Sequence, residues 1–257
     1  MTKEKKEQLA TQSAGSLATK DRPGFLQKKT GREGLEQIER ADLVLPRLSI
    51  CQSMSPQRKK SDPLFISSLE EGQFFNTVTN QIYGDKALRV IPLLFGKSRL
   101  YFRPFDDGGG LLCQSMNGKD GGVLSPTCAA CPKQAWGEDG EKPACTLLYN
   151  YPSLLLPSFE LIVVSMKVTS LKAARQWNTL MRFRNAAAFA GVYELRAIET
   201  KNNFGTFFVF NVKPSRWANE TEYNQAGEIY KSIQDQQVRP STVGLAQEET
   251  AEAAPQM

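Results

Sequence analysis

The chain contains no histidine. That removes the commonest general base and every Ser-His-Asp or Cys-His nucleophile. Lysine and carboxylate chemistry stays open, but Asp106/Asp107 and Glu70/Glu71 read as solvated turns, because nothing places either pair opposite another carboxylate. Gly96-Lys97-Ser98 lacks the earlier glycine of a phosphate-binding loop, since position 91 is Ile. The expectation is a protein that is not an enzyme and has no small-molecule substrate. Long apolar runs are also missing: the greasiest stretch, Leu154 to Val164, is broken by Pro157, Ser158 and Glu160. The start, Met1-Thr2-Lys3-Glu4-Lys5-Lys6, has no apolar segment behind it to act as a signal peptide. A cytoplasmic location without a membrane partner follows as an expectation.

What is present is the composition of a folded protein, with 40% hydrophobic and 9% aromatic residues. The net charge of +5 is unevenly spread. Residues 1–60 and 165–190 are basic, and the second stretch holds five Lys/Arg and no acid. Segregated positive charge suits a polyanionic partner. Residues 1–40 read as a basic, flexible arm, and 41–220 as the folded domain. Residues 104–147 form an insertion, and 221–257 a short helix followed by a disordered, mildly acidic tail.

Strand patterns begin near Leu43 (with Pro46 marking an edge or bulge), at Phe74–Thr79, at Ala87–Phe95 and, after a Gly96-Lys97-Ser98 turn, at Arg99–Phe102. They resume at Thr146–Tyr151 and Glu160–Val168. A final hairpin pairs Val192–Thr200 with Thr206–Lys213 around Lys201–Gly205. Ser170 to Arg184 has the spacing of an amphipathic helix, with Ser170 as its cap. A second helix fits Glu222–Gln236. The count predicts a mainly β fold with some α, an antiparallel, OB-fold-like barrel that is partly closed.

Four of the five cysteines fall in the insertion: Cys113, Cys128, Cys131 and Cys145. Four thiolates complete tetrahedral zinc without histidine, and the Cys-Ala-Ala-Cys pair lets one turn present two sulfurs to one ion. The expectation is one structural Zn2+ per chain, with an iron–sulfur cluster as the alternative. A zinc deaminase is excluded, since no Cys is followed two residues later by Glu. Cys51 lies far away and reads as a cysteine unrelated to the site.

Nucleic-acid contacts are expected on several elements. Arg99, Tyr101 and Arg103 share one face of a strand, with Lys97 just before it: cations for phosphates around a ring for a base. On the last hairpin strand, Phe208, Phe210 and Val212 are assigned to the core, leaving Phe207, Asn211 and Lys213 on the other face. The first helix carries Lys172, Arg175, Arg182 and Arg184, and Arg58-Lys59-Lys60 lie in a loop able to close over a strand. Such contacts give affinity without sequence preference and weaken with salt.

From Leu43 to Lys213 the chain resembles a group of bacteriophage single-stranded DNA-binding proteins. The resemblance rests on Leu45-Pro46-Arg47-Leu48, Phe74-Phe75-Asn76-Thr77, Val90-Ile91-Pro92-Leu93, Arg99–Pro104, the cysteine insertion, Ser165–Leu180 and Asn203–Phe210. It is similar to the wider class of helix-destabilising proteins in which a zinc module is inserted into an oligonucleotide-binding barrel. The resemblance implies coating of single-stranded DNA during phage replication or recombination. It also implies recruitment of replisome or recombination proteins through an acidic tail, here Glu248, Glu249 and Glu252. The best-known zinc site of that class uses one His and three Cys, whereas this chain offers four Cys. The alternative is a zinc-stapled phage regulatory adaptor that binds a host or viral protein.

Overall fold

The computed structural model describes residues 34–37, 44–137, 141–202, 205–234 and 245. Most of the expected N-terminal arm, the acidic tail apart from Leu245, and the hairpin tip at 203–204 lie outside them.

Among the described residues, twelve strands and two helices follow one another. The strands are β1 (Arg47–Ile50), β2 (Phe74–Asn76), β3 (Ile82–Gly84), β4 (Leu88–Pro92), β5 (Gly96–Phe102), β6 (Leu111–Ser115), β7 (Asp120–Gly122) and β8 (Ser125–Thr127). Then come β9 (Thr146–Leu156), β10 (Glu160–Lys167), helix α1 (Leu171–Phe183), β11 (Gly191–Asn202), β12 (Gly205–Trp217) and helix α2 (Glu220–Ile233). Ten strands form one sheet in the order β12-β11-β4-β9-β10-β1-β2-β3, with β5 paired to β9 and β6. β7 and β8 pair only with each other.

Two expectations are corrected. The sheet is mixed rather than antiparallel, because β1 runs parallel to β10. Nor does it close into a barrel, since β12 and β3 end the path unpaired with each other. It does curl. The Gln52 side chain, just past β1, donates to the Phe208 carbonyl and accepts from the Phe208 N–H, both at 2.8 Å. One amide side chain thus makes across the gap the two bonds that a further strand residue would make. Gly72 lets the ring of Phe208 approach; a Cβ there would sit 2.8 Å from it.

β9 organises the sheet. Its C-terminal half pairs with β4 and its N-terminal half with β5, while β10 runs along its other edge. Both faces of β9 are covered, so its apolar residues run together instead of alternating. Tyr149, Tyr151 and Leu155 enter the main core with Leu48, Phe74, Ile162, Val164, Phe210 and Val212. Leu154 points the other way, joining Ile91, Leu93 and Val192 under Ala226 and Ile233 of α2.

α1 covers the first face, anchored by Ala174 and Trp177, both fully buried. Trp177 stacks on Tyr151 at 4.3 Å and meets Tyr193 edge-on at 5.7 Å. The Tyr151 hydroxyl lies 2.9 Å from both the Ala174 carbonyl and Asn178 Oδ1. Ser170 does not cap the helix. Its hydroxyl instead accepts from the Phe210 N–H, tying the helix start to β12. α2 opens on a capping box: Asn219 accepts from the Glu222 N–H, and Glu222 accepts from the Asn219 N–H.

Strand ends differ from expectation in physically simple ways. Pro46 precedes β1 rather than bulging it, and β1 is paired on both sides, so it is not an edge. Gly96-Lys97-Ser98 is strand, paired to Asn150–Leu148, not a turn. Asn202 pairs with Gly205, so the last hairpin is longer and its connection tighter than the sequence implies.

Candidate functional site

β5 decides where the predicted contacts go. Its Leu100 and Phe102 pack with Leu148 and with Leu245 from the C-terminal segment. Its Arg99 and Tyr101 face the opposite way and line a pocket shared with Cys113, Cys128, Cys131 and Cys145. Tyr101 is therefore buried, with Lys133 Nζ 5.5 Å from the ring centre. In this arrangement it packs under the cysteine insertion rather than presenting a ring to a base. Arg103 is exposed, and the exposed Lys97 places its amine over the Tyr149 ring at 5.2 Å.

The pocket itself brings together the four insertion cysteines that the sequence singled out. Cys128 and Cys131 sit on a tight turn, closed by the Cys131 N–H donating to the Cys128 carbonyl at 3.2 Å. The Cys145 N–H donates to the Lys133 carbonyl at 2.8 Å, holding the last cysteine against the same turn. Gly122 lies against Cys113, where a Cβ would come within 2.9 Å of the sulfur. All five cysteines are free thiols. Burial pushes the Cys145 thiol up, while a hydrogen bond and charge from Arg99 oppose this and the nearby Cys128 and Cys131 add to it. As placed, no three His, Cys, Asp or Glu side chains among the described residues form a group that could hold a metal ion. The donor chemistry nevertheless suits zinc: four thiols line one pocket, beside the cationic side chains of Arg99 and Lys133. Cys51 is apart, fully buried with Ile66, Leu69 and Phe75.

The other predicted residues occupy three further places. In the loop after β1, Arg58 is salt-bridged to Glu71 and donates to the Ser53 carbonyl at 3.3 Å, while Lys59 and Lys60 are exposed. On β12, Phe207 and Asn211 are half-buried and Lys213 is exposed. They lie across from Thr200, Arg196 and Glu194 of β11, so an acid stands in that row. On α1, Lys172 and Arg175 are exposed. So are Gln176, Thr179, Arg182 and Phe183, opposite the buried Ala174 and Trp177. This face holds three cations and no acid, and it is rigidly backed by the core.

The exposed aromatic residues that escaped the sequence reading include Phe183 and Trp217. Phe183 is 82% exposed and Trp217 56%. Phe183 could have been found: it falls seven residues after Gln176 and four after Thr179, an apolar residue on the polar face at the end of the stripe. Trp217 carries no such signal, because its exposure depends on where β12 ends.

Among the described residues, no helix is long and apolar enough to cross a membrane. Neither a curated protein nor a solved structure matches the chain. A family model does, over residues 12–239, which is most of its length: the chain belongs to the Pam3 phage gp34-like protein family.

Proposed function

We propose that this phage-family protein binds and protects single-stranded DNA without sequence specificity during phage DNA replication or recombination. The observation that carries the reading is the exposed face of α1, where Lys172, Arg175 and Arg182 stand on a rigid helix that itself carries no acidic residue. Fixed cations on a preformed surface attract phosphates at little ordering cost. The oligonucleotide-binding reading of the scaffold belongs to the same proposal. It is supported by the curl of the sheet, which Gln52 brings up to β12.

Cys113, Cys128, Cys131 and Cys145 would hold one structural zinc ion. When bound, zinc would tie β6, the Cys128–Cys131 turn and the start of β9 together where few apolar residues can. Four thiolate ligands leave no position for a reacting group, which fits a staple and not a catalyst. The acidic tail would recruit replisome or recombination proteins.

The test is a titration of the full chain with oligo-dT and with duplex of the same length, alongside affinity capture from phage-infected cells. Preferential single-strand binding supports the reading. Equal weak binding to both, or a stoichiometric protein partner with no oligonucleotide binding in the same buffer, would transfer the protein to the adaptor class.

A further inference from the structure

We infer that Phe183 and Trp217 form a base-stacking platform at the end of the basic stripe on α1, and that Arg184 is the positioning residue that holds Trp217 in it. The inference rests on the single-strand-binding reading and adds to it where the bases go.

The stripe runs from Lys172 to Arg182, about 15 Å at the rise of an α-helix, and Phe183 ends it. The next residue, Arg184, does not continue along the exposed face. Its guanidinium turns inward and lies between two rings, 4.9 Å from the centre of Tyr193 and 4.7 Å from that of Trp217. It also donates to the Arg216 carbonyl at 3.1 Å. Tyr193 is fully buried and joins the aromatic row through Trp177 and Tyr151. Trp217 is thus fastened to the core through one cation while more than half of it stays exposed. Arg184 follows Phe183 directly, so its contact with Trp217 brings the end of β12 to the C-terminal end of α1.

Gly191 makes the slot. It pairs with Trp217 across the hairpin, and a Cβ on it would fall 2.2 Å from Arg184 Nη1 and 3.0 Å from the Tyr193 ring. Its φ of −117° is open to any residue, so the absent side chain serves Arg184 and not the backbone.

An exposed aromatic pair could dock a protein or stack on bases. Charge decides between them. Phe183 terminates a face carrying Lys172, Arg175 and Arg182, and residues 165–190 contain no acid. Phosphates along the cations and unpaired bases on the rings are the combination that single-strand binders use. Duplex offers the phosphates but keeps its bases stacked inside.

The test uses the full chain carrying Trp136→Phe, which leaves emission from Trp217 and the buried Trp177. Oligo-dT should quench this emission, and Trp217→Phe should abolish the quench. Phe183→Ala and Trp217→Ala should each weaken oligo-dT binding by about fivefold to about a hundredfold. The slope of affinity against salt should stay as it was, since no charge is removed. Gly191→Ala should expel Arg184 and lower the emission anisotropy of Trp217 in the free protein, an effect that loss of a mere charge would not give. Wild-type binding with both ring variants within about twofold of it, and an unmoved emission, overturns the platform while leaving single-strand binding in place. Absence of oligo-dT binding by the wild type overturns both. A protein partner lost in Phe183→Ala with DNA binding intact also overturns the platform.

Discussion

Neutralising the stripe gives the sharpest quantitative expectation. Consider the triple variant Lys172→Gln, Arg175→Gln, Arg182→Gln. All three side chains are exposed on α1, and Gln is about as good a helix former as Lys or Arg. The helix keeps its anchors, Ala174 and Trp177, so the fold should survive, which circular dichroism and a thermal melt can check. If each cation meets one phosphate, each contributes about 0.7 to the slope of log affinity against log salt on a single strand. Removing three should flatten the slope by about 2. Between about 50 and 200 mM salt the wild type should then lose roughly 20-fold more affinity than the variant. Fluorescence anisotropy with labelled oligo-dT measures both slopes. A variant that weakens binding but keeps the wild-type slope would refute the assignment of these cations to phosphates. A variant that binds like the wild type at every salt concentration would remove α1 from the interface altogether.

Other expectations follow from the same structure. Purified anaerobically, the chain should carry one zinc. Cys128→Ser or Cys131→Ser should release it and leave the insertion sensitive to protease; metal analysis showing under one zinc per chain, with four reactive thiols, would end that proposal. Glu222 receives both Arg216 Nη1 and Nη2 at 2.7 Å, and this pairing holds its carboxyl below the usual range against the opposing effect of burial. Its stabilisation should be fully present above the unfolded-state value of about 4.3 and be lost as pH falls through the lower folded value. Glu222→Gln should cost about 1–2 kcal/mol at neutral pH and remove that part of the acid dependence in urea melts. Tyr193→Phe should stabilise the protein by about 1 kcal/mol, or about 2–4 °C, because the buried Tyr193 hydroxyl has no hydrogen-bond partner among the described residues. A lower melting temperature would show that the hydroxyl is satisfied.

Local patterns carried the sequence reading far along single elements and poorly between them. The spacing of Ala174, Trp177 and Leu180 marks α1 because only one of its faces is buried. The alternation of Phe208, Phe210 and Val212 likewise places the inner face of β12, with Phe210 and Val212 buried. β9 is longer than the Thr146–Tyr151 strand read from the sequence, because both its faces are covered, which erases alternation beyond Tyr151. Gly96 hid the start of β5, since a glycine before a lysine and a serine reads locally as a turn; long-range pairing to Asn150 overrides that. Arg99 and Tyr101 share a face, as period two requires, but which way that face points depends on the insertion folding over it. The four cysteines were legible as a group from spacing. That they share a pocket with Arg99 and Lys133 was not. The parallel pairing of β1 with β10 is invisible locally, because Arg47 and Val163 are over a hundred residues apart in the chain.

The central claim is preference for single strands, and competition tests it most directly. Labelled oligo-dT bound to the full chain is displaced with unlabelled oligo-dT or with duplex, matched in nucleotide concentration, at low salt. The account predicts displacement by oligo-dT at concentrations at least tenfold lower than by duplex, since stacking adds about 1–3 kcal/mol per base that a duplex cannot supply. Equal displacement by the two would contradict it, reducing the basic face of α1 to a surface for polyanions in general.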